Sequence, residues 1–175
     1  MSHSSEAPCR PLTAEPLTAA AFAPFGDVID SSGHAPILIN GGMTERFHDL
    51  ARVDVAAGGG RPLISLFHAR PYALPLRVLA LERHPLGSQA FVPLDGQAFL
   101  VIVAPAGEAP AAGAVRAFLT DGRQGVNYHR GVWHHSLVVF DQPSRFVVVD
   151  RGGPGDNCDL FTLATPLELR AIAAG

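Results

Sequence analysis

From Gly59 onward the chain runs as short apolar stretches punctuated by Gly, Pro and Asp. The clearest are residues 63–67, 97–104, 115–119, 136–140 and 145–150, and the pattern predicts strands separated by turns. Several carry Val, Ile and Phe without alternation, as expected of strands covered on both faces of a barrel or sandwich. An antiparallel β-barrel is the natural closure, so the predicted class is mainly β.

Short helices are expected to flank it. One spans residues 18–23 and is stopped by Pro24 and Gly26. The other begins at Thr165 in TPLELRAI, where Thr165 can cap, Pro166 suits the first helical position and Glu168 completes a capping box. Residues 1–10 read as a flexible tail, residues 106–113 as an Ala/Gly/Pro surface loop, and residues 11–175 as a single domain without internal repeats.

Composition narrows the function. A chain of 175 residues that is 47% hydrophobic can bury one substantial core. A net charge of −3 and scattered arginines leave no basic surface for a phosphate backbone, which argues against nucleic acid as a partner. No apolar run approaches the roughly 20 residues that span a bilayer, and MSHSSEAPCR has no signal-like apolar region; a soluble cytoplasmic protein is expected. Cys9 and Cys158 lie at opposite ends and do not form a disulfide framework. Lysine is absent, which excludes Schiff-base chemistry and leaves cationic contacts to arginine and histidine.

Two segments carry the candidate chemistry: ERHPLGSQAFVPLDG from Glu82 and GVNYHRGVWHH from Gly125. Their spacing is similar to that of the cupin superfamily, small jelly-roll β-barrels in which H-x-H-x4-E-x6-G is followed by P-x-G-x2-H. The same offsets here hold Glu82, His84, Gln89 and Gly96, then His129, Gly131 and His134. Glu82, His84 and His134 offer three donors for a divalent ion, while Gln89 is a weaker, neutral donor, so metal dependence is open. On an extended segment Asn127 and His129 share one face and Tyr128 and Arg130 the other; beyond Gly131, only one of His134 and His135 can enter the barrel. Five polar residues in eleven between apolar strands point to a ligand pocket. Arg46, His48 and Asp49 form a further cluster in NGGMTERFHDLA, suited to gripping a carboxylate. DRGGPGDNCD from Asp150 reads as a plain turn, or as Asp150 and Arg151 lining the barrel mouth.

With these four motifs following one another from Asn40, Glu82, Gly125 and Asp150, the chain resembles the ureidoglycolate lyases of allantoin degradation, formerly called ureidoglycolate hydrolases, from about Pro11 to Ile172. The resemblance implies a cupin-type barrel, a homodimer, and cleavage of ureidoglycolate to glyoxylate and urea, with nickel in some members. Departures are the N-terminal extension, the longer loop near Gly107, and Phe47 where many relatives have tyrosine.

Ureidoglycolate is a carbinolamide, so a base takes the hydroxyl proton as the C–N bond breaks and an acid protonates the departing urea nitrogen. His134 or His129 is expected to act as base or acid, with Glu82 and His84 orienting them or holding a metal that polarises the hydroxyl. Arg46, with His48 and Asn127, is expected to bind the carboxylate, and Gln89 or Asp150 the urea amide. The rival readings are an amidohydrolase releasing ammonia from the same substrate, which needs a firmly bound metal, and a non-catalytic cupin that binds a small acid.

Overall fold

The computed structural model describes residues 8–111 and 113–172. In chain order the elements are β1 (Arg10–Pro11), β2 (Ala14–Pro16), α1 (Ala19–Phe22), β3 (Gly26–Ile29), β4 (Ile37–Ile39), β5 (Thr44–Arg46), β6 (Arg61–Ala69), β7 (Leu76–Arg83), β8 (Gln89–Pro93), β9 (Phe99–Ala104), β10 (Arg116–Leu119), β11 (Gly125–Tyr128), β12 (Trp133–His134), β13 (Val138–Val139), β14 (Ser144–Gly152) and β15 (Asp159–Leu169).

Eight strands form a curled sheet in the order β1-β15-β7-β12-β9-β10-β2, with β13 beside β9; five more form a second sheet, β3-β11-β8-β14-β6. The ladders are antiparallel except where the two N-terminal strands add in parallel, β1 to β15 and β2 to β10. Between the sheets, Val101, Val103 and Phe118 meet Phe91, Val126 and Phe146. A second cluster lies behind β9, where Leu100 and Ile102 pack with Trp133, Leu163, Leu167 and Leu169. All six residues of β9 are buried, so its unbroken apolar run is covered on both faces. The fold is the mainly β, cupin-like barrel expected.

The run at 63–67 differs. It lies in β6, the last strand of the five-stranded sheet, and its outward side chains Ile64 and Leu66 are 80% and 65% exposed. Its apolar residues therefore cover the core on one side and leave a bare edge on the other.

The helix expected near Thr18 forms: the Ala21 N–H donates to Thr18 Oγ1 at 3.2 Å, and Phe22 is fully buried. The helix expected from Thr165 does not, because that segment is the second half of β15. Pro166 falls where the register against β7 shifts between Thr162 and Leu167, a place where a missing N–H breaks no ladder. Leu163, Leu167 and Leu169 are buried by this arrangement. Burying a leucine stabilises by about 1.5–3 kcal/mol, whereas a helix cap contributes about 1 kcal/mol, so packing outweighs the local capping signal. The expected N-terminal tail also needs correction at its end: Arg10 pairs with Leu167 in the sheet, while residues 1–7 lie outside the described residues.

Candidate active site

Strand β7 carries Glu82 one residue before its end and delivers His84 just beyond it, while β12 sets His134 directly opposite Glu82. His134 reaches this position through a turn in which Gly131 takes a φ of 79°, a left-handed conformation that glycine adopts without strain. Its ring is 2% exposed, stacked on Tyr128 with centroids 4.4 Å apart and 5.0 Å from the ring of His84. The adjacent His135 instead sets its ring edge-on to Tyr72, so one histidine of the pair enters the barrel.

Backbone carbonyls fix the proton positions on both inner histidines. His134 Nδ1 lies 3.1 Å from the carbonyl of Val132, and His84 Nδ1 lies 2.6 Å from that of Asn157. A carbonyl oxygen only accepts, so each Nδ1 carries a hydrogen. For His134, burial pushes the pKa down to about 3, helped by the nearby His84 and opposed by the Val132 carbonyl. The ring is therefore neutral near pH 7, and its buried Nε2 is a lone pair without a hydrogen-bond partner among the described residues.

That lone pair faces Glu82 Oε1 at 3.6 Å. The pair is a neutral imidazole against a carboxylate rather than a salt bridge, and two electron-rich atoms at this range favour a cation between them. One donor atom from each of Glu82, His84 and His134 lies within 4.8 Å of the others. Two ligand atoms about 2.1 Å from one ion stand at most ~4.2 Å apart, so the trio fits a divalent ion after a small side-chain adjustment. Next to it, the end of the Gln89 side chain lies 3.2 Å from His84 Nε2; with the hydrogen on Nδ1, it is the amide NH2 that faces this nitrogen and donates to it. The register of β14 against β8 pairs Val149 with Ala90 and, continued by one residue, sets Asp150 beside Gln89. Asp150 shares the inward face of Val148, and its Oδ1 is buried without a hydrogen-bond partner.

The remaining candidates lie elsewhere. Val126 and Tyr128 take the inward positions of β11, so Asn127 and His129 point outward. Asn127 donates to Asp27 Oδ2 and to the Arg52 carbonyl, both at 2.9 Å, and His129 Nε2 lies 3.1 Å from Asp27 Oδ1. Burial would raise the Asp27 pKa, but hydrogen bonds from Asn127, the Arg52 N–H and His129 outweigh it and hold this carboxyl below its usual range. Asp27, His129, His48, Asp49 and His34 line an open cavity of about 640 Å³. Arg46 is exposed on β5, which among the described residues pairs only with β4, and donates to His48 Nδ1 at 2.7 Å. Arg151 does not line the barrel mouth: it donates to the carbonyls of Ala57, Gly58 and Pro154 and ties two loops together.

Glu82, His84, Gln89, His134 and Asp150 are thus together at one end of the barrel, and Asn127, His129, Arg46 and His48 are outside it. The sequence reading missed Tyr128, although the apolar Val126 two residues earlier marks that face as the inward one.

A family model described as ureidoglycolate lyase matches residues 9–170. A ureidoglycolate lyase of Burkholderia mallei is 60% identical over 158 residues, 90% of this chain and 92% of that protein. One of Pseudomonas aeruginosa is 57% identical over 150 residues, 86% and 89% of the two chains, and one of Stutzerimonas stutzeri is 57% identical over 152 residues, 87% and 89%. With this match across nearly the whole chain, the protein belongs to the ureidoglycolate lyase family.

Proposed function

We propose that the protein is a ureidoglycolate lyase that splits ureidoglycolate into glyoxylate and urea at the barrel end built by Glu82, His84 and His134. The observation that carries the site is the buried, unpartnered Nε2 of His134 facing the Glu82 carboxylate.

Glu82, His84 and His134 would hold a divalent metal, nickel by resemblance to the family, which when bound would polarise the substrate hydroxyl. His134 contributes a lone pair there; neutral down to acidic pH, it is not the acid. The reaction moves one proton from the carbinol oxygen to the urea nitrogen as the C–N bond breaks. In this reading a Glu82 oxygen takes the hydroxyl proton and returns it to the leaving nitrogen, so no water is consumed. Gln89 and Asp150 orient the urea amide, for which the free Asp150 Oδ1 supplies an acceptor. Arg46 is assigned to the substrate carboxylate through its forked guanidinium.

The assembly in this proposal is a homodimer, supported by the bare edge strand β6 with Ile64 and Leu66 exposed. Among the described residues no helix is long and apolar enough to cross a membrane.

Product analysis of metal-assayed protein given racemic ureidoglycolate tests the activity. Glyoxylate and urea in equal amounts are expected; ammonia in place of urea would make the protein an amidohydrolase, and no turnover with added nickel would leave a binding protein.

A further inference from the structure

We propose that Asn157, which neither the family resemblance nor the motif spacing assigns, is the positioning residue for His84. The inference rests on the reading of Glu82, His84 and His134 as a metal centre and adds the element that orients it.

Asn157 lies in the loop joining β14 to β15 and grips the end of β7 with two oxygens. Its carbonyl lies 2.6 Å from His84 Nδ1, and its side-chain Oδ1 accepts the Leu86 N–H at 2.8 Å. The side chain therefore fixes where the carbonyl stands, and the carbonyl fixes which ring nitrogen of His84 carries the hydrogen. With Nδ1 protonated, Nε2 is the nitrogen left for a ligand, facing the Gln89 amide at 3.2 Å until a metal displaces that contact, and rotation about χ2 is restricted. A ligating histidine ordinarily has its second nitrogen held in this way by a carbonyl or carboxylate.

The next residue extends the grip. Cys158 Sγ lies 3.9 Å from Glu82 Oε2. A thiol S–H is a weak donor, so this contact positions the carboxylate by geometry more than by strength. Two consecutive loop residues thus hold two of the three donors, while the third, His134, is held by the carbonyl of Val132, just before its own strand.

The test uses the full-length protein with Asn157→Ala, which removes the acceptor for Leu86, and Asn157→Asp, which keeps it. The first readout is the ring nitrogen chemical shifts of His84 in metal-free protein, and the second is the nickel dissociation constant from calorimetry. Wild type should show a single tautomer with the hydrogen on Nδ1. Asn157→Ala should show mixed tautomers and nickel binding about 10–100-fold weaker, while Asn157→Asp should keep the tautomer and stay within about threefold. Wild-type His84 with its hydrogen on Nε2 would overturn the proposal even if the alanine variant failed to fold. So would an unchanged tautomer in Asn157→Ala, or equal losses in both variants. Because the tautomer is read without metal or substrate, its result is independent of whether the lyase assignment holds.

Discussion

His134 turns its unprotonated Nε2 toward Glu82 Oε1 across 3.6 Å, inside a barrel where that nitrogen has no other partner. Burial, aided by the neighbouring His84 and His135, keeps this histidine neutral against the opposing pull of the Val132 carbonyl, and leaves a lone pair and a carboxylate ready for one cation.

Removing one of these donors should be felt by the metal before it is felt by the fold. Glu82→Gln keeps the shape and deletes the charge, so nickel binding should weaken by at least ~10-fold, with kcat falling in parallel. Exhaustive chelation of the wild type should lower turnover, and nickel should restore it. Calorimetry together with a glyoxylate assay checks both.

The neutral state of His134 also sets a pH dependence of stability. Its folded pKa is depressed to about 3 from an unfolded value of 6.5, so the unfolded chain binds the proton first. Stability from this group is fully present above pH 6.5 and is lost as pH falls toward 3; the loss is about 2 kcal/mol by pH 5. Thermal unfolding of metal-free protein should follow this course, and His134→Gln should flatten it between pH 6.5 and 5.

Arg46 stands outside the barrel end on the β4–β5 hairpin, where it donates to His48 Nδ1, and contact with the substrate carboxylate is the role proposed for it. Arg46→Lys keeps the charge and loses the two-pronged geometry. KM should rise roughly tenfold, a loss near 1.4 kcal/mol, with kcat little changed. An unchanged KM would remove Arg46 from the site.

The C-terminal strand can be tested by two substitutions with opposite expectations. If Thr165 capped a helix, Thr165→Ala would cost about 1 kcal/mol; in a bulge of β15 it should cost less than ~0.5 kcal/mol. Leu169→Ala, at a fully buried position, should cost about 2–5 kcal/mol. Denaturant unfolding measures both.

The reading of the sequence succeeded where spacing along a strand decides the outcome. Glu82 and His84 point the same way because they are two residues apart, and the offset to His134 carried the third donor. The inward face of β11 was harder to read: Val126 marks the Tyr128 side, but Asn127 is equally able to line a polar pocket. That is settled by Asp27 and the Arg52 carbonyl, partners 100 and 75 residues away. The misread helix has the same origin: Thr165, Pro166 and Glu168 carry a correct local signal, overridden by distant strands that bury Leu167 and Leu169. The hold of Asn157 on His84 spans 73 residues and was equally hidden.

The division of the candidate residues between the barrel end and the outer face makes one measurement decisive: kcat for glyoxylate and urea release by His134→Ala and His129→Ala, side by side. The account predicts that His134→Ala, which removes one of the three metal donors, loses at least ~10²-fold, the upper end of what is lost when a mere supporting partner of a ligand is removed. His129→Ala, whose ring pairs with Asp27 outside the barrel, should stay within about threefold of wild type. Normal turnover by His134→Ala with collapse of His129→Ala would contradict it and move the chemistry to the outer cavity.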